Sequence, residues 1–162
     1  MVLEQIQAVR DEVLQSVKGL SDEELNKAPS AESWSIAQVL LHLQQIESYF
    51  LSLMDAALQG PNEEVKERNL AYVTDRSHKA KSPIDPPSGF KTREEIVVRL
   101  TQSREKVIAL IDKEDPATLS EKALNHPVFG KTSVKQTLEF IAAHEKRHIE
   151  QIQEIKQTLV VK

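Results

Sequence analysis

The chain contains no cysteine. That absence excludes a disulfide framework and a cysteine nucleophile, and it restricts any metal site to nitrogen and oxygen ligands. Glycine is scarce, four in 162 residues, and the 40% hydrophobic, 28% charged composition suits a mostly helical protein. There is no basic excess: net charge is -4 and the lysines and arginines are dispersed among acids. They read as solvated helix faces, and no electrostatic case exists for a nucleic-acid partner. No apolar run approaches the ~20 residues a bilayer span needs. The stretch Met1-Val2-Leu3-Glu4-Gln5-Ile6 places acid and amide groups where a signal peptide is apolar. The expectation is a cytoplasmic protein without a membrane partner. The length fits a single domain over residues 1–162, large enough to bury a proper core.

What is present is helical periodicity with recognisable starts. The spacing predicts a first helix from Val2 to Lys18, with Leu3, Ile6, Val9, Val13 and Val17 on one side and Gly19 as its stop. Ser21-Asp22-Glu23-Glu24 is a capping box opening a short helical turn that Pro29 closes, and Ser35 with Gln38 opens a second long helix running to Gln59. Its stripe is Val39, His42 or Leu43, Ile46, Phe50, Leu53 and Met54, and Trp34 before the cap reads as a hydrophobic staple. Thr92 to Glu95 is a third capping box, starting a third long helix that runs to about Asp112 with Ile96, Leu100, Val107 and Ile111 inward. Asp115-Pro116 marks another short turn ending near Leu124, residues 125–130 read as a linker, and Ser133 with Gln136 caps a last helix reaching Leu159. Between the second and third long helices, residues 60–91 are the least regular, with a helical piece expected at Val65–Tyr72 and a loop at 81–89. A connection this long is often functional and could overlie a pocket.

Four long amphipathic helices without a convincing strand or repeat predict an all-α fold, a four-helix bundle. The connection between helices 2 and 3 need not be a tight hairpin. It could cross the bundle and leave those two helices parallel.

The last helix carries the chemistry. Its apolar stripe runs Val134, Leu138, Ile141, then Ile152, Ile155 and Leu159, and His144 and His148 occupy the intervening core-facing places. Four residues is one turn, so the two imidazoles stack on one face. A divalent metal is the simplest shared partner, and His42 on the second helix is the candidate third ligand. His144-Glu145-Lys146-Arg147-His148 also matches H-E-x-x-H, in which two histidines bind zinc and the glutamate activates water. Against that reading stand the charges at Lys146 and Arg147, the lack of a third histidine downstream, and the lack of a substrate-aligning sheet upstream.

More of the chain speaks for another relationship. Trp34-Ser35 with His42-Leu43, then His126-Pro127 through Gly130-Lys131, Phe140 through His144, and Arg147-His148-Ile149-Glu150-Gln151-Ile152 together resemble the DinB/YfiT-like superfamily. Pro83, Pro87 and Gly89 before a helix carrying Leu100 and Arg104 fit the same family's middle region. The resemblance implies an up-down-down-up four-helix bundle. It also implies one divalent metal ion (zinc, nickel or a similar first-row ion) held by three histidines, here His42, His144 and His148. Characterised relatives include thiol-dependent S-transferases using bacillithiol or mycothiol, a mycothiol-using isomerase, and proteins regarded as hydrolases. The family's association with DNA-damage induction does not imply DNA binding.

Three neutral imidazoles leave open positions on the ion, as in a catalytic site. There the ion could lower the pKa of water or of an incoming thiol. With no cysteine in the chain, a thiolate would come from a cosubstrate. The expectation is a stress-related thiol S-transferase acting on small electrophiles. The alternatives are a metal-dependent hydrolase and a non-catalytic metal- or ligand-binding bundle. A homodimer is plausible for such bundles. Gln44, Gln45, Glu47 and Glu145 are candidate outer partners of the ligands, and Glu145, one step round the helix from His144, is expected to point partly outward. Arg104 is expected at the edge of its helix's inner stripe, where it could pair with a carboxylate or meet an anionic substrate. His78 and His126 read as surface or structural groups.

Overall fold

A computed structural model describes residues 2–70, 73, 86 and 89–161. The elements run α1 (Val2–Ser16), α2 (Asp22–Asn26), α3 (Ile36–Gln59), α4 (Arg93–Asp112), α5 (Pro116–Glu121), β1 (Ala123–His126), β2 (Gly130–Ser133) and α6 (Val134–Val161). The helix starts follow local chemistry. Ser21 and Ser35 each accept from the backbone N–H three residues on and donate their own N–H to the Glu24 or Gln38 side-chain oxygen, closing both capping boxes. At the third expected box Thr92 accepts from Glu95 N but the Glu95 side chain does not close it; Asp115 makes no side-chain cap, and Pro116 alone opens α5.

The four long helices form the bundle. Lys156 on α6 reaches Ser16 O at the end of α1, while Arg10 meets Glu145, so α1 and α6 run parallel. Arg104 reaches Ile6 O and Arg93 reaches Val17 O, so α4 runs against α1. His42 meets His144, and Phe50, two turns further along α3, meets Phe140, one turn before His144, so α3 opposes α6. The order is up-down-down-up, with α3 and α4 parallel across the long connection. Among the described residues no helix is long and apolar enough to cross a membrane.

Two expectations fail here. Residues 65–70 are not helical; Tyr72 lies outside the described residues. The chain is tied down in irregular form instead: Glu63 N donates to Glu121 O, and the Gln136 amide takes both the N–H and the C=O of Arg68. A side-chain amide satisfying one residue's two backbone groups replaces the helical ladder. Residues 125–130, expected as a linker, belong to an antiparallel hairpin pairing Ala123 with Ser133 and His126 with Gly130. Its four-residue strands are too short to show alternation, and Pro127 falls in the loop between them. Gly130, at φ +74°, ends the loop in the left-handed region. Of the connection expected to overlie a pocket, residues 71, 72, 74–85, 87 and 88 lie outside the described residues.

The core consists of two apolar clusters. One gathers Val13, Val17, Ile36, Leu40, Leu43, Ile96, Leu100 and Ile152; the other gathers Ile6, Phe50, Met54, Val107, Ile111, Leu138 and Ile141. Between them in the order of all four helices lie buried Arg10, Glu47, Arg104 and Glu145.

Candidate metal centre

His42 comes from the first half of α3, and His144 and His148 from successive turns of α6. His144 Nε2 lies 3.2 Å from His42 Nε2 and 3.2 Å from His148 Nε2. Ligand nitrogens of the three rings all lie within 4.8 Å of one another. Nitrogens bound at ~2.0–2.1 Å to a tetrahedral ion stand about 3.3 Å apart. The donor set therefore fits a first-row divalent ion with little adjustment. Packing three imidazoles edge to edge in a core has no apolar rationale, since each presents a lone pair or an N–H to the others.

The surroundings keep His42 and His144 neutral. His42 is 3% exposed, and burial, with His148 adding to it, lowers its pKa to about 3. His144 falls well below the usual imidazole value, through burial first and then the neighbouring His148 and His42 rings. Neutral imidazole is the metal-binding form. His148 Nδ1 lies 2.7 Å from Gln151 Oε1. With that oxygen accepting, Nδ1 carries the proton and Nε2 turns its lone pair toward the other two rings, as in outer-shell support of a metal ligand. Gln151 was not foreseen, although its position three residues after His148 on a helix was a readable signal.

Two aromatic rings flank the triad. Trp34 sits 5.1 Å from His42, and Phe140 stacks on His144 at 5.7 Å. Trp34 is the sole tryptophan, so it reports on the site. Ni2+ or Cu2+ added to metal-free protein should quench most of its fluorescence at one equivalent, and His42→Ala should remove the effect. Quenching that persists in His42→Ala would place the ion elsewhere.

The other candidates part company with these rings. Gln44 bonds Ser48, and Gln45 Oε1 is buried without a partner. Glu145, expected to face partly outward, is 2% exposed and turned inward. Its carboxylate accepts from Arg10 Nε at 2.9 Å and from Arg104 Nη2. Glu47, 1% exposed, accepts from Arg104 Nε at 2.5 Å, Ser103 Oγ at 2.6 Å and Arg10 Nη2 at 3.3 Å. Arg104 thus pairs with carboxylates. Burial works against the charge on Arg10, but Glu145 and then Glu47 outweigh it and raise its pKa.

His126 is structural and buried, not a surface group. Its Nδ1 accepts from Val128 N at 3.0 Å, and its ring stacks on Phe50 and meets Phe140 edge-on. His78 lies outside the described residues. Burial lowers the His126 pKa to about 4. A depressed histidine contributes stability that is full above the unfolded value near 6.5 and is lost as pH falls through the folded value. Between pH 7.5 and 5 the loss from this group is about 2 kcal/mol. In His126→Phe, denaturant curves at the two pH values should converge by that amount relative to wild type; an unchanged pH dependence would contradict this.

Known proteins place the chain. The profile of the DinB superfamily matches residues 5–152. YuaE of Bacillus subtilis (strain 168), an uncharacterized protein, is 38% identical over 156 residues, covering 93% of this chain and 94% of YuaE. A Bacillus mycoides (strain KBAB4) protein provisionally named a metal-dependent hydrolase is 23% identical over 160 residues, covering 97% of this chain and 84% of its own length. Among solved structures, YfiT from Bacillus subtilis is similar at TM-score 0.66 and 16% identity, over 98% of this chain and 85% of YfiT. It is provisionally described as a metal-dependent hydrolase with an unusual four-helix bundle topology. TT2238, a four-helix bundle protein, is similar at TM-score 0.62 and 17% identity, over 94% of this chain and 96% of its own.

Proposed function

The chain belongs to the DinB superfamily, and on that premise we propose that it is a divalent-metal enzyme joining a low-molecular-weight thiol to a small electrophile. The observation that carries this reading is the convergence of His42, His144 and His148 with nitrogen spacings that suit one ion. Three imidazoles leave positions on the ion for a substrate. A bound ion there supplies the acidity that turns a thiol, or water, into a nucleophile near neutral pH.

The chain's own residues support a reaction that relies on that acidity. Glu145, the glutamate of the H-E-x-x-H match, is held by Arg10 and Arg104 and is not placed to take a proton from a nucleophile. His42, His144 and His148 would hold the ion, Gln151 fixes the proton of His148 on Nδ1, and Trp34 and Phe140 wall the triad with apolar surface. A thiol is deprotonated by metal coordination more readily than water, which suits a site without a carboxylate base from this motif.

Hydrolysis is the second reading, favoured by the descriptions given to two of the similar proteins. Protein loaded with Ni2+ or Zn2+ separates the two. Consumption of 1-chloro-2,4-dinitrobenzene or an epoxide that needs both the metal and an added thiol, and that disappears in His148→Ala, is the expected result. Metal-dependent cleavage of esters or amides without thiol would assign a hydrolase. No turnover in either assay, with thermal stability lost on chelation, would assign a structural metal.

A further inference from the structure

We infer that the buried cluster of Arg10, Glu47, Arg104 and Glu145 positions the three histidines by fixing the rotation of α3 and α6 about their axes. The inference rests on the reading that the triad holds an ion. Each carboxylate rides on a ligand-bearing helix: Glu145 follows His144 directly, and Glu47 follows His42 by five residues. At 3.6 residues per turn, Glu145 stands about 100° around α6 from His144, and Glu47 about 140° around α3 from His42. The histidines thus point at one another while the carboxylates point sideways, toward α1 and α4.

Those two helices form a frame of their own. Arg10 of α1 donates Nη1 to Leu100 O of α4 at 2.9 Å, and Arg104 of α4 donates Nη1 to Ile6 O of α1 at 2.5 Å. Each guanidinium, anchored to the opposite helix, then uses its remaining nitrogens on both carboxylates. Ser103 adds a further bond to Glu47. The ligand helices hang from this frame by directional, charge-assisted bonds.

Apolar packing alone is a poorer guide to helix rotation, because burial is favourable in any direction. The tolerance is tight: a rotation of about 20° carries a side-chain tip 5–6 Å from the helix axis through ~2 Å, the length of a metal–nitrogen bond. A working site needs its groups held within about 0.5 Å. Four charges buried together are weak evidence of a gain in stability, since apolar replacements of similar volume often match or exceed such clusters. Their geometry accounts for them better as a device that sets the angle of two helices.

The test separates position from stability. In Arg10→Met/Glu47→Leu/Arg104→Met/Glu145→Leu the cluster becomes apolar at similar volume. Ni2+ binding by calorimetry and the metal-free Tm are measured beside wild type. The expected result is a Tm at or above that of wild type with Ni2+ bound at least ~10-fold more weakly, the scale of outer-shell substitutions. A well-folded variant binding Ni2+ within twofold of wild type would overturn the inference. Should the quadruple variant not fold, Glu145→Gln, measured well below its own lowered Tm, carries the same expected and overturning results for Ni2+ binding alone. Wild type that binds no Ni2+ would defeat the metal reading itself, and this inference with it; tight wild-type binding unchanged in the variants defeats this inference alone.

Discussion

Arg104→Ala lowers the free energy of unfolding by about 3–5 kcal/mol, the loss expected when one partner of a buried ion pair is removed. Arg104 is 3% exposed and bonds Glu47, Glu145 and the Ile6 carbonyl. Without it, the two buried carboxylates keep one guanidinium between them, that of Arg10, and Glu47 keeps the Ser103 hydroxyl. Domains of ordinary stability have about 5–15 kcal/mol in hand, so a large share disappears. Urea or guanidinium unfolding of metal-free protein measures it. The exposed pair Lys131–Glu63 is the control: its side chains are 49% and 37% exposed, and Lys131→Ala should cost no more than about 1 kcal/mol. Equal small losses at both positions would mean that Arg104 is solvated in solution and the buried cluster does not exist.

The second large effect comes from the ion. Metal-free wild type given Ni2+ at a hundredfold excess over Kd should gain about 2.7 kcal/mol, which for a chain of this size is a Tm increase of about 5–10 °C. His148→Ala removes one of the three converging imidazoles and should lose most of that increase. The substitution takes one imidazole, its Nε2 3.2 Å from that of His144, out of a partly buried position, so the metal-free variant should remain folded. The two predictions therefore separate: Arg104→Ala acts on the metal-free protein, and His148→Ala acts chiefly on the response to metal. A full Tm increase in His148→Ala would show that the stabilising ion binds elsewhere.

Much of the bundle was legible because its signals are local. Ser21, Ser35 and Thr92 announce helix starts through bonds within three residues, and the stripes of α1, α3, α4 and α6 repeat at helical spacing. The histidines were legible because they interrupt such a stripe at His144 and His148. Glu145 was misjudged because rotation around one helix was measured against one neighbour. α6 packs against both α1 and α3, so a residue turned away from the histidines is still inside. The readable signal lay elsewhere: Arg10 stands four residues after Ile6 and three before Val13, and Arg104 four after Leu100 and three before Val107. Two arginines in core register call for buried acids. The irregular segment at 61–70 depends on partners far along the chain, such as Gln136 with Arg68, and no local pattern encodes it; the hairpin at 123–133 pairs locally, but its four-residue strands are too short to show alternation.

The number of imidazoles that meet at the ion can be counted directly by X-ray absorption at the nickel edge of protein loaded with one equivalent of Ni2+. The account predicts three imidazole nitrogens at about 2.0–2.1 Å in wild type and two in His148→Ala. A wild-type spectrum with an all-oxygen shell, or one left unchanged by the substitution, would contradict it.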